Sequence, residues 1–351
     1  MRSSRNFFIA LSLIVALAFS TSLNVSAQQS QQQKPPAEGQ QKKDSKDKKA
    51  EEPQEEEQGV RLGTQLVTVP FNVTDKTNHY INDLKKEDLE ILEDNKPQGV
   101  FSFERQTDLP ITIAMLIDIS GSQEYTLPYE KAAGQRFLQK VLRPQKDLAA
   151  IVSFEGDTEL VQNLTQDMNK LSRALDSVQI PVTGATVGGI GGTPPINGGS
   201  RVGGTSLYDA IYAVSADLLS REAGRRVIIL LTDGQDTTSR IKMREAIERT
   251  WRNEVIVYSI GIGDRSYGID SGTLKKIASE TGGRAFFPRN EEDLDKAFRM
   301  IDEDLRSQYI VSYEPSNEAK DGSFRTIQMK VKNRKELTVR HRRGYFAPKE
   351  G

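Results

Sequence analysis

The chain has 351 residues, which at about 150 residues per domain predicts two domains. Lys and Arg number 48 against 49 Asp and Glu, a formal net charge of −1 that lacks the basic excess a dedicated nucleic-acid binder needs. There is no cysteine, which excludes disulfides, thiolate zinc sites, cysteine nucleophiles and lipoprotein attachment. The two histidines, His79 and His341, are distant and differently patterned, a poor start for a multi-histidine metal site or a Ser-His-Asp triad. Metal chemistry is left to oxygen ligands, which hard cations such as Mg²⁺ prefer.

Residues 1–27 read as a signal peptide. Arg2 and Arg5 precede an apolar run of thirteen residues at 7–19, and Val25-Ser26-Ala27 supplies a small-residue cleavage pattern. The run is shorter than the roughly 20 residues that span a bilayer, and no other segment is apolar enough, so no transmembrane segment is expected after cleavage. An uncleaved anchor is the alternative. The expected location is the periplasm, the cell envelope or the exterior. Residues 28–59 carry almost no large apolar side chains and mix Lys and Glu blocks. Such a segment buries too little to offset its ordering entropy and reads as a disordered linker.

Residues 60–110 form an N-terminal β segment. Residues 65–74 alternate and are β-branched, and 89–93 and 100–104 are further strands, separated by the turn residues Asp94-Asn95-Lys96-Pro97. From residue 111 the period changes. Continuous apolar runs at 111–117, 148–154, 226–231 and 255–260 are the pattern of strands buried on both faces. Helical stretches lie between them, at 127–141, 168–178, 207–220, 242–253, 271–280 and 291–305. The alternation predicts an α/β fold over 111–306: a doubly wound, mostly parallel, Rossmann-like sheet. A short antiparallel strand is expected near 159–162, because its link to the preceding strand is too short for a crossover helix. Residues 307–346 return to β alternation, with a tail at 347–351. Neither β segment is large enough for its own core, so they are expected to pair into one smaller sandwich-like domain interrupted by the α/β domain.

Three fragments carry the chemistry. Asp118-Ile119-Ser120-Gly121-Ser122 follows the 111–117 strand. Gly203-Gly204-Thr205-Ser206 opens a helix. Thr232-Asp233-Gly234 follows the 226–231 strand. In an open parallel sheet the carboxyl ends of the strands share one edge, and ligands bind where the strand order reverses. Asp118 and Asp233 belong to that edge, Ser120 and Ser122 share one side of a short loop, and Thr205 comes from a third loop. Two carboxylates and three hydroxyls make an octahedral oxygen cage with room for water or an incoming ligand. For each residue taken singly the competing explanation is helix capping; all five in this order favour a metal. Asp236 reads as a cap or supporting partner, and Asp209 as an acid favoured early in its helix.

Asp-x-Ser-x-Ser, the Thr of Gly-Gly-Thr and the Asp of Thr-Asp-Gly resemble the metal-ion-dependent adhesion site (MIDAS) of the von Willebrand factor type A domain. The resemblance covers about 111–306. It implies that Ser120, Ser122 and Thr205 ligate a divalent cation directly and that Asp118 and Asp233 act mostly through water. Mg²⁺ is the first choice, with Mn²⁺ and Ca²⁺ as alternatives. The flanking segments resemble the secreted acidobacterial branch of that family, in Val73-Thr74-Asp75, Leu92-Glu93-Asp94-Asn95-Lys96-Pro97-Gln98, Ser102-Phe103-Glu104 and Arg343-Gly344-Tyr345. Two features depart from the common pattern. Gln123 stands where many members carry Met, a change expected not to touch the ligand set. Residues 181–204 form a long glycine-rich segment before Thr205, read either as a lid or partner surface or as a solvated insertion.

The implied function is a non-enzymatic, exported adhesion or protein-binding module. A partner Asp or Glu carboxylate would complete the coordination, and no nucleic acid is involved. A Mg²⁺-dependent phosphohydrolase is the alternative from another class, disfavoured because Ser120 stands where a second Asp would be and no Lys is evidently placed for phosphate. A structural envelope protein with a vestigial site is the third reading.

Overall fold

The computed structural model describes residues 65–105, 108–181, 204–263 and 268–350. The expected signal peptide and linker, and residues 182–203 of the glycine-rich segment, lie outside the described residues.

The central element is β5 (Ile111–Asp118), buried along its whole length. Its side chains alternate between two cores. Ile113, Met115 and Ile117 face α1 (Leu127–Val141), α2 (Met168–Ser177) and α6 (Glu291–Arg306). Ala114 and Leu116 face α3 (Leu207–Ala213), α4 (Met243–Arg252) and α5 (Ser271–Thr281). This two-sided burial is why the strand reads as an unbroken apolar run. The other strands of its sheet are β6 (Leu148–Phe154), β7 (Thr158–Thr165), β8 (Arg225–Thr232), β9 (Val255–Gly261) and β10 (Ala285–Phe286). The order is β10-β9-β8-β5-β6-β7. β5 is parallel to both β6 and β8, and β7 pairs antiparallel with β6, running from 158 to 165 and so longer than the sequence suggested.

Local chemistry sets the helix ends. Asp167 accepts hydrogen bonds from the Asn169 and Lys170 amides at the start of α2, and Asn290 does the same for Asp293 in α6. Gly282 ends α5 with φ +88°, the left-handed cap that favours glycine. The helix expected over 207–220 is α-helical only to Ala213 and continues as a π turn over Val214–Leu218.

Two further sheets pack face to face beside this domain. One has the order β13-β1-β11-β4, from β1 (Val67–Thr74), β4 (Val100–Arg105), β11 (Tyr309–Tyr313) and β13 (Thr338–His341). The other has the order β14-β12-β2-β3, from β2 (Leu89–Glu93), β3 (Lys96–Gln98), β12 (Phe324–Val331) and β14 (Gly344–Phe346). Every strand pairing in both is antiparallel. Their inner faces share one core, in which Val69 and Phe71 of β1 and Val311 of β11 meet Ile91 of β2 and Ile327 and Met329 of β12. The α/β domain leaves from β4 and returns through β11, and Arg105 and Tyr309 are register partners. The entry and exit strands of the α/β domain therefore lie side by side. The seam is also pinned by side chains: Trp251 stacks on Phe324 at 4.5 Å, Asn72 donates to the Asp304 carbonyl at 2.7 Å, and Arg342 pairs with Glu254 at 3.0 Å.

Candidate metal centre

In the sheet order the chain runs one way from β5 to β6 and the other way from β8 to β9. The switch point therefore lies between β5 and β8, and ligand crevices form beyond the carboxyl ends of such strands. Asp118 is the last residue of β5, and Asp233 directly follows β8. Both are buried.

Asp118 is held at both oxygens. Its Oδ1 accepts from the Ser120 amide at 2.9 Å and its Oδ2 from the Thr232 hydroxyl at 2.5 Å. Burial pushes its carboxyl up to about 6; these hydrogen bonds oppose the shift and the charge of Asp233 adds to it. The first bond turns the chain sharply after β5 and brings the Ser120 and Ser122 hydroxyls to 3.0 Å. Asp233 is fixed by its own loop, with Oδ1 accepting from the Gln235 amide at 3.0 Å. The next residue, Gly234, has φ +85°, and a Cβ there would stand 2.8 Å from Leu274 Cγ. Gly234→Ala is expected to cost about 2 kcal/mol through backbone strain and overpacking, read as a fall in the urea midpoint.

Thr205 reaches this edge from the loop before α3. Its amide donates to the Thr237 hydroxyl at 2.8 Å, and its carbonyl accepts from the Thr237 and Thr238 amides at 2.9 and 3.2 Å. These bonds strap its backbone to the loop that begins at Asp233 and do not use its hydroxyl. Asp236 and Asp209 take supporting places. Asp236 accepts from the Ser239 hydroxyl and the Tyr208 amide, and Asp209 accepts from the amides of Arg240 and Ile241.

Two buried polar residues take places that the sequence pattern does not suggest. Gln123, expected not to touch the ligand set, is fully buried, and its Nε2 donates to the Ile262 carbonyl at 3.2 Å and lies 3.4 Å from Ser122 Oγ. Its Oε1 accepts from the Thr126 hydroxyl at 2.9 Å. A polar side chain here braces Ser122 against the loop after β9, which a Met could not do by hydrogen bonding. The second is Glu130 of α1, 1 % exposed, with neither carboxylate oxygen hydrogen-bonded in the protein. Burial pushes its carboxyl up to about 8; the nearby Thr126 hydroxyl opposes this, and the charges of Asp118 and Asp233 add to it. A signal was available. Glu130 sits three residues after Leu127 and four before Gly134, inside the stripe that α1 buries.

Asp118, Asp233 and Glu130 act on one another as like charges, and among the described residues no Lys, Arg or His is among the main influences on Asp118 or Glu130. Buried charge of one sign without a counter-charge is costly, and a divalent cation is the group that would offset it. Among the described residues no three Asp, Glu, His or Cys side chains converge as a direct metal ligand set. The residues fit a cation held largely by hydroxyl and water oxygens.

Two family models, both of the von Willebrand factor type A domain, match the chain over residues 113–235 and 196–299. Among solved structures, proximal thread matrix protein 1 from the mussel byssus is 18% identical with a TM-score of 0.46, over 59% of this chain and 48% of that one. The conserved hypothetical protein BatB from Bacteroides thetaiotaomicron is 19% identical with a TM-score of 0.41, over 57% of this chain and 100% of that one. A von Willebrand factor type A protein from Catenulispora acidiphila is 14% identical with a TM-score of 0.47, over 80% of this chain and 73% of that one. The chain spans about half the length of the mussel protein. No curated protein matches. The two family matches together run from residue 113 to 299 and enclose Asp118, Ser120, Ser122, Thr205 and Asp233; the chain is a von Willebrand factor type A domain protein.

Proposed function

We propose that this protein is an exported, cation-dependent binding module whose partner presents an Asp or Glu carboxylate to the metal. The observation that carries the reading is the set of buried, mutually repelling carboxylates of which Asp118 holds the Ser120–Ser122 loop. Ser120, Ser122 and Thr205 would hold the ion directly, with Asp118 and Asp233 acting through water. Ser120 and Ser122 hold their hydroxyls together, 3.0 Å apart in a hydrogen bond, and such neutral oxygens suit a hard cation, with Mg²⁺ the first choice. A cation held mainly by neutral oxygens stays electrophilic, and that is the chemistry it would supply to an incoming carboxylate. Asp118 orients the loop through the Ser120 amide, and Gln123 braces Ser122.

Export is supported by the apolar run at 7–19 and the Val25-Ser26-Ala27 site. Among the described residues no helix is long and apolar enough to cross a membrane. The phosphohydrolase reading has less support: phosphoryl transfer relies on positive side chains around the phosphate, and among the described residues none is a main influence on Asp118 or Glu130.

The test is calorimetric titration of the full chain with MgCl₂, MnCl₂ and CaCl₂. Asp118→Ala should weaken the preferred cation at least tenfold. Capture of an envelope protein by the wild type should be lost in EDTA. Absence of cation binding in the wild type, or unchanged affinity in Asp118→Ala, would remove the mechanism. Robust Mg²⁺-dependent phosphatase turnover that Asp118→Asn abolishes would replace it with the enzyme reading.

A further inference from the structure

We infer that Glu130 is a third carboxylate of the cation site, a positioning residue that takes no ligand position but supplies negative charge and a hydrogen-bond acceptor behind Asp118 and Asp233. This deepens the cation-binding reading above and rests on it.

A carboxylate is a costly choice at this position. The other side chains that α1 buries in the same core are apolar: Leu127, Ala133, Phe137, Leu138 and Val141. An apolar residue at 130 would continue that stripe. The chain instead carries a carboxylate there, 1 % exposed, with both oxygens lacking a hydrogen-bond partner. Buried polar groups in folded proteins nearly always have partners, and those that do not mark a missing ion, a missing water or a functional role. The one hydroxyl close by, that of Thr126, has a single proton, and Gln123 Oε1 at 2.9 Å is placed to take it. The charged groups that act on Glu130 are Asp118 and Asp233, both of like sign. In the metal-free protein both of these charges therefore oppose an ionised Glu130.

A cation at the end of β5 and β8 reverses this balance. It offsets the repulsion among the three acids, and its hydration supplies the donors that the Glu130 oxygens lack. Among the described residues no three acids converge as a ligand set, so the role inferred for Glu130 is that of a charge acting through Asp118 and Asp233 and not of a ligand. Groups in that position orient ligands and tune the ion, and their loss typically costs 10–100-fold in affinity. The same charge should then have two effects of opposite sign. It destabilises the empty protein and strengthens cation binding.

Glu130→Gln tests both effects in the full chain, because the amide keeps the shape and removes the charge. MgCl₂ is titrated by calorimetry into wild type, Glu130→Gln, Glu130→Asp and Asp118→Ala, and each is melted in EDTA at pH 8. Glu130→Gln should bind Mg²⁺ at least tenfold more weakly and melt higher than wild type in EDTA. Glu130→Asp keeps the charge and should stay within about threefold of wild-type affinity. Wild-type affinity in Glu130→Gln, with binding lost in Asp118→Ala, would overturn this inference and leave the cation site standing. Weaker binding together with a lower metal-free melting point would mark Glu130 as merely structural and also overturn it. No Mg²⁺ binding by the wild type would overturn both readings.

Discussion

Glu93→Ala is expected to lower the stability of the sandwich by about 3–5 kcal/mol, the range for breaking a buried ion pair from one side. Glu93 and Arg325 are each 2 % exposed and lie 3.6 Å apart between the two inner faces. The carboxylate is a hub: its Oε2 accepts from the hydroxyls of Tyr313 at 2.8 Å and Tyr345 at 2.9 Å. Burial, together with these bonds to a negative acceptor, raises both phenols, Tyr345 to about 12, so both remain donors at neutral pH. The guanidinium donates in addition to the carbonyls of Asn317 and Ala319. Removing Glu93 strands two buried hydroxyls and one buried cation, and the cation dominates the loss because water cannot reach it. Glu93→Gln keeps an acceptor for a tyrosine and should cost less. Trp251 is the only tryptophan and stacks on Phe324 of β12, so its fluorescence reports the seam between the sandwich and the α/β domain during urea unfolding. A shift of the midpoint equivalent to under about 1 kcal/mol would refute the hub.

The same chain shows why some of this was readable in advance and some was not. β5, β6, β8 and β9 were legible because a strand buried on two faces has no polar register to confuse with a helix, and the fold class followed from the alternation. Asp118, Ser120, Ser122 and Asp233 stood out because polar residues directly after such strands interrupt a strong apolar pattern. The buried polar residues inside elements did not stand out. Glu93, in line with Leu89 and Ile91, has the inward parity of β2, and Arg325, in line with Ile327, Met329 and Val331, has that of β12. Glu130 lies in the buried stripe of α1. In each case the period was correct, yet the residue type suggested solvent, and only the three-dimensional partner decides. For Glu93 the partner is Arg325, on a strand that follows the whole α/β domain in the chain and is invisible to any local window. For Glu130 it is a pair of acids that end one strand and follow another. Gln123 escaped for the same reason, since its amide donates to the carbonyl of Ile262, far along the chain.

Without divalent cations, the protein should lose stability as pH rises from about 5 to 8, opposite to the usual behaviour of a protein whose carboxylates are paired. The sign follows from proton linkage. Glu130 is raised from 4.5 to about 8 and Asp118 from 3.8 to about 6, each chiefly by burial. Between the unfolded and folded values the native state holds protons that the unfolded chain has released, so stability falls with increasing pH. Every pH unit between those two values is worth about 1.4 kcal/mol per group, which puts the total loss on the order of several kcal/mol by pH 8. Asp304 is also raised by burial and adds in the same direction, whereas burial lowers His341 below 6.5 and opposes it below that pH; both are common to wild type and variants, so the difference between wild type and Glu130→Gln isolates Glu130. That variant should decline less steeply, and the difference should be largest above pH 6, where Asp118 has already lost its proton and Glu130 has not. A saturating divalent cation favours the ionised carboxylates and should stabilise the wild type more at pH 8 than at pH 5. Thermal midpoints in EDTA and in MgCl₂ across that range decide the matter: a metal-free midpoint that climbs from pH 5 to 8, or an identical slope in Glu130→Gln, would show that the buried acids Asp118 and Glu130 do not carry the charge that the cation is there to offset.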